Sequence, residues 1–284
     1  MLSVQACRKP APLDIEIPQD KPAMVISSFC PNNRAVFIAA GYSINSSVNI
    51  DSVISGTRDV PAGMMIESAR VTIEESGVPA TLANLTAIRK GIYGNTDVLL
   101  KPGQSYKVTI ADDTKGITTS ATTTYMPQPQ VSKLTPERVI KNGDTVFKLH
   151  FAIENVAAEA HYYVSYTTSS ARKKAGTSKD IDAVHDFEAK KISLYSSADV
   201  VNNTINKTIT LTAKANDTLH VEVARIEDGY RKYLEAYIKT GYLVNQLTGE
   251  PVNLPTNLSN GHGYFTLHNP RYATFDLDNL PLMK

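Results

Sequence analysis

The chain has 284 residues, 42% of them apolar, and a formal net charge of +1. That composition excludes a disordered polymer, and the charge leaves no broad basic field for nucleic acid. The length points to about two domains. No run approaches the roughly 18 apolar residues of a membrane-spanning helix, so any membrane contact is expected to come through a lipid.

The first element is Leu2-Ser3-Val4-Gln5-Ala6-Cys7. A short run of apolar and small residues ending in Ala-Cys is the pattern of a bacterial lipoprotein cleavage point, where the cysteine becomes the new N-terminus and carries the lipid. The bland alternative is an ordinary tail with an incidental cysteine. Residues 8–19 are polar and punctuated by proline, as a tether should be, so residues 1–19 are read as signal remnant and tether. The other cysteine, Cys30, has no neighbouring pattern of a nucleophile or metal site and is expected to be buried and inert. Two cysteines are too few for a disulfide framework in a chain of this size.

From residue 20 the texture is β. Residues 23–29 and 35–40 are short β-rich runs separated by Pro31-Asn32-Asn33. Residues 69–74 alternate faces and stop at Ser76-Gly77; residues 105–110 alternate again, and a Thr-rich run closes the series at 117–125. This is the pattern of an immunoglobulin-like sandwich, placed at residues 20–126. Met126-Pro127-Gln128-Pro129-Gln130 reads as a stiff linker.

Residues 146–151, 160–166, 204–213 and 218–226 then predict a second β-sandwich over 127–284, the last two runs as a hairpin through Asn216-Asp217. One amphipathic helix falls near its C-terminal part, over 228–241. Its apolar positions 230, 233, 234, 237 and 238 form one stripe, expected to pack on a sheet, with Asp228 as N-cap and Gly241 as stop. The fold class is therefore mainly β, two sandwich domains.

No spacing required by catalysis stands out. The chain has no Gly-x-Ser-x-Gly elbow, no His-Glu-x-x-His pair and no phosphate loop. Asp180, Asp182, His185 and Asp186 cluster acids and an imidazole but lack the calcium-loop pattern. No cofactor and no metal is called for. A sugar platform would need exposed aromatics; there is no Trp, and Tyr162, Tyr163 and Tyr166 lie in an alternating strand where some must face the core. Gly261-His262-Gly263 carries two readings: a backbone cradle presenting His262 to a ligand, or a structural turn feeding the strand at Tyr264-Phe265.

The stretch Gly249-Glu250-Pro251-Val252, followed by Asn257-Leu258 and Gly261-His262-Gly263-Tyr264-Phe265, resembles the C-terminal signature of a Bacteroidota lipoprotein family, domain of unknown function 4249. Its pattern there is an "EPV" element, an "N-I" pair and "G-x-G-x-F"; Leu258 stands in place of the isoleucine. The helix start at 226–234, and Cys7 followed by Leu13-Asp14-Ile15-Glu16-Ile17-Pro18, are similar to further family elements. Asn257, Gly261, His262, Gly263 and Phe265 are thus the candidate binding or turn residues, and Cys7 the lipidation site.

The resemblance implies an outer-membrane lipoprotein, on the cell surface or the periplasmic face, acting beside a TonB-dependent transporter, and it brings no catalytic residues. Arg8 and Lys9 stand where surface-displayed relatives often carry acids. The expected function is a non-enzymatic accessory or ligand-binding partner of that transporter. The alternative is a structural or adhesive subunit of a surface fibre, assembled by strand exchange. A secreted hydrolase is disfavoured by the absent motifs.

Overall fold

The computed structural model describes residues 23–43, 64–85, 90–141, 143–172, 184–187, 190–240 and 254–283. The described chain is mainly β, with one α-helix, and builds two sandwiches, the first immunoglobulin-like.

The first sandwich uses β1 (Met24–Asn32), β2 (Ala35–Tyr42), β3 (Arg70–Glu75), β4 (Val78–Asn84), β5 (Ile92–Asn95), β6 (Ser105–Asp112) and β7 (Ile117–Thr124). Alternation sets the layers: in β1, Met24, Ile26 and Cys30 point inward while Val25, Ser27 and Phe29 point out. β4 is the corner. Its first half pairs with β3 and its last two residues with β5, so one ladder folds into two packed faces. Their inner faces meet in a core that includes Val36, Ile38, Val71, Tyr93, Val108 and Tyr125.

The second sandwich has a sheet of β8 (Gln130–Lys141), β9 (Asp144–Glu154), β13 (Thr204–Leu211) and the short β17 (Leu282–Met283). Facing it are β10 (His161–Arg172), β11 (Val184–Phe187), β12 (Lys191–Ser196), β14 (Asp217–Ile226) and β16 (Arg271–Asp276). The remaining strand is β15 (His262–Tyr264). The hairpin expected between β13 and β14 is not formed. β13 pairs with β9, whereas β14 pairs with β10 and β16, so the turn at Asp217 carries the chain from one sheet to the other. Both strands alternate apolar residues into the same core, Ile205 and Leu211 from one side and Leu219, Val221 and Val223 from the other. A shared core satisfies that pattern as well as a shared ladder does.

The helix α1 (Asp228–Thr240) lies on the outer face of the β10–β14 sheet. Leu234 is 4% exposed and packs with Tyr163, Ala224 and Ile226, and Tyr230 and Tyr233 join them, so the stripe covers the sheet over residues 230–234. Asp228 is the first helical residue; instead of capping, its carboxylate binds Arg231 and Lys232 at 2.6 and 2.7 Å.

The domain boundary at 126/127 needs correction at the C-terminal end. Leu258, Phe265 and Leu267, expected in the second domain, are buried in the core of the first. Three large apolar side chains within ten residues find their burial there, and the chain rejoins a sheet of the second domain at β16. Leu234→Ala should therefore destabilise by about 2–5 kcal/mol in urea unfolding. Tyr237→Ala, at a side chain 51% exposed, should cost under about 1 kcal/mol.

Candidate functional site

The candidate residues around Gly261 converge on a seam. β7 and β1 are the two free ends of the first domain's ladder, and residues 257–268 run between them. Ser259 N–H donates to the Ser120 carbonyl at 2.8 Å and Ser120 N–H to the Ser259 hydroxyl at 2.9 Å, which lays the segment along β7. β15 then pairs in parallel with β1, Val25 with His262, Ile26 with Gly263 and Ser27 with Tyr264. Past β15, Thr266 N–H donates to the Ser28 hydroxyl and that hydroxyl to the Thr266 carbonyl, at 2.8 and 2.7 Å.

Each candidate residue has a part in this closure. The Asn257 carboxamide imitates a strand: its oxygen accepts from Phe265 N–H at 3.0 Å and its NH2 donates to the Phe265 carbonyl at 2.8 Å. Phe265 is fully buried beneath it. Gly261 and Gly263 have φ of +148° and +95°, and a Cβ on them would lie 2.6 Å from the Met24 carbonyl oxygen and 2.0 Å from that of Ile26. Only glycine permits both the backbone angle and this approach. His262, between them, is exposed. Of the two readings, the geometry is that of a structural turn that closes a sheet. Cys7 lies outside the described residues, as do Asp180 and Asp182.

The same segment then enters a buried polar cluster that sequence reasoning missed. His268 Nε2 meets the Tyr163 hydroxyl at 2.9 Å, and that hydroxyl donates to Glu222. Lys190 pairs with the other carboxylate oxygen, which also accepts from Ser165 at 3.4 Å. Burial raises the Glu222 pKa, but the His268 imidazole, the Lys190 charge and the Tyr163 hydroxyl together outweigh it and hold the group at about 2, against an ordinary 4.5. Burial and the neighbouring carboxylate drive Tyr163 well above the usual tyrosine range. Alternation along β14 hints at an outward Glu222; nothing local announces a partner 46 residues downstream.

The junction has further ties. Met126 N–H donates to the Leu267 carbonyl and Asn269 N–H to the Met126 carbonyl, both at 3.0 Å, so linker and returning segment run side by side. Glu227 accepts from Thr124 N–H at 2.8 Å and the Thr123 hydroxyl at 2.5 Å.

What can these groups do chemically? Ser169 and His220 approach at 2.9 Å, the distance of a nucleophile and its base. Both sit within paired strands, where ladder bonds occupy the backbone N–H groups that an oxyanion hole would need. Among the described residues no cluster of His, Cys, Asp and Glu has metal-binding geometry. Cys30 is 2% exposed, and burial lifts its thiol to about 12, the state of an inert packing residue. Tyr162, Tyr163 and Tyr166 are all buried, leaving no sugar platform on that strand.

An open surface lies elsewhere, on the outer face of β1, β2 and β5. Phe29, 53% exposed, stacks on Phe37 at 6.3 Å, and with Ala39, Leu85 and Ile92 they line a groove of about 480 Å³. Gly94 makes room for it, since a Cβ there would strike the Phe37 ring at 2.6 Å.

Two β-sandwiches in tandem, the N-terminal one completed by a segment returned from the C-terminal one, define the class of this protein. The family described as Domain of unknown function (DUF4249) matches residues 11–272, and the chain belongs to it. No curated protein matches the sequence. Among solved structures, a DUF4785 family protein from Legionella pneumophila is similar, at 10% identity over 71% of this chain with a TM-score of 0.24; the chain spans about half, 51%, of that protein. A two-domain fibronectin type-III segment of chicken tenascin is similar at 8% identity over 72% of this chain and 91% of the segment, with a TM-score of 0.22. At such scores the architecture rests on this chain's own strands.

Two outcomes follow from the closure and the cluster. Gly263→Ala should cost about 3 kcal/mol or more in equilibrium unfolding. Gly77→Ala, at φ +85° with nothing within 4 Å, should cost only about 1–2 kcal/mol. For Glu222, the unfolded chain takes up the proton first as pH falls, because its carboxyl titrates near 4.5 and the folded one near 2. The stabilisation, on the order of 3 kcal/mol, is complete above pH 4.5 and lost as pH falls to about 2. Glu222→Gln should be less stable than the parent at neutral pH, and urea titrations should show that gap closing across this window.

Proposed function

We propose that this protein is a non-enzymatic lipoprotein of the outer membrane, anchored through Cys7, that serves as an accessory or ligand-binding partner of a TonB-dependent transporter. The observation that carries the binding role is the stacked Phe29–Phe37 pair on the first sandwich, Phe29 exposed and Phe37 half-buried beside it. An apolar aromatic patch presented by rigid strands is the kind of anchor that interfaces bury at their centre. The Ala6-Cys7 context supports the anchor, and membership of the family supports the transporter as partner. A fibre subunit exchanging strands needs an open seam; here the edges of β1 and β7 are taken up by residues 257–268 of the same chain.

The test is affinity purification of the tagged, full-length protein from native outer membranes. A stoichiometric transporter should accompany it, Phe29→Asp should lose the transporter while staying in the membrane, and Cys7→Ser should move to the soluble fraction. Recovery of the protein alone would refute the accessory role and favour a free-standing binder, and ladders of self-associated copies would refute it and favour the fibre.

A further inference from the structure

The first sandwich has a second concavity, at the end from which the chain leaves for the second domain. Its volume is about 540 Å³, the size of a small-molecule site. Ile73, Ala80, Val98 and Tyr106 form its walls. At its mouth two apolar side chains stand in water, Val78 at 72% and Leu99 at 53% exposure.

The loop that forms one wall is fixed in advance. Leu100, 1% exposed, plugs into the core, and its N–H donates to the Asn33 carbonyl at 2.8 Å. Lys101 N–H donates to the buried Tyr106 hydroxyl at 2.8 Å, and Gly103 N–H to the Tyr125 carbonyl at 2.9 Å. A ligand entering here would not have to order its own site.

Three charged side chains line the opening. Lys101 and Glu75 satisfy each other at 2.9 Å. Asp97 holds its backbone through Asn95 at 2.7 Å, and its carboxylate joins no ion pair among the described residues. The mouth therefore carries one uncompensated negative charge above an apolar chamber.

We infer that this pocket binds a small amphiphilic cation, its apolar stem between Val78 and Leu99 and its ammonium on Asp97. Burying the stem withdraws apolar surface of both partners from water. The ammonium adds a charge-assisted bond, whereas an anionic headgroup would face Asp97 with Lys101, the one cation among the described lining residues, already engaged by Glu75. The site goes beyond the transporter partnership and does not depend on it.

The probe is octylammonium, titrated below its micelle concentration into the purified full-length protein and followed by NMR. Saturable shifts at Val78, Asp97 and Leu99 are expected, with octyl glucoside weaker and octyl sulfate weaker still. Asp97→Asn should weaken octylammonium about three- to fivefold and leave octyl glucoside unchanged. Leu99→Ser, at an exposed position that does not threaten the fold, should weaken both about tenfold. Octyl sulfate binding as tightly as octylammonium, indifference to Asp97→Asn, or shifts confined to the Phe29 groove would each overturn the inference.

Discussion

Three parallel backbone pairs between β1 and β15 decide whether the first sandwich is closed. They exist because two glycines let the returning chain lie against the carbonyls of Met24 and Ile26 at distances no side chain tolerates. The burial of Leu258, Phe265 and Leu267 depends on that approach. Without it β1 and β7 would both end in unpaired backbone, the exposed-edge condition that invites association. The seam is also where the two domains stop being separable, since the residues that fill it lead directly to His268 and the outer sheet of the second domain.

That second attachment works by a different physics. The seam is a matter of close packing and ladder bonds, whereas the junction sinks a carboxylate and surrounds it with donors. Lys190 supplies the counter-charge to the buried Glu222, and Tyr163, itself held by His268, supplies a donor to the other oxygen, so the three act as a set. Aromatic stacking extends the arrangement outward: His268 lies on Tyr230, Tyr230 on Tyr233 and Tyr233 on Tyr237, at 5.9, 5.8 and 6.4 Å. The tyrosine stripe of α1 is thus a wedge between the returning segment and the sheet, and Tyr264 of β15 leans on its first two rings.

Much of the local structure was legible in the sequence, because strand alternation and the helical stripe at 230, 233 and 234 are local properties. β8 escaped notice: Pro136 and its many charges argue against a strand, yet proline is tolerated where a strand's far side is largely open, and β17 reaches only Arg138 and Val139. The β13–β14 hairpin was misread because alternation tells which face is apolar and not which sheet receives it. For the site, the glycines and Asn257 could be singled out as a pattern, but their purpose could not. A Cβ clash with Ile26 is a contact across more than 230 residues, and no spacing in the chain encodes it. Glu222, Tyr163 and His268 were harder still, since each is an ordinary residue of its strand or segment until the three meet.

The parallel direction of β15 has a mechanical consequence. The chain enters β1 at its N-terminal end, and it continues towards the second domain from the C-terminal end of β15. A pull between the two would draw neighbouring strands in opposite senses along their length. The load falls on all the pairs together, in shear, and a ladder loaded that way cannot be peeled open bond by bond.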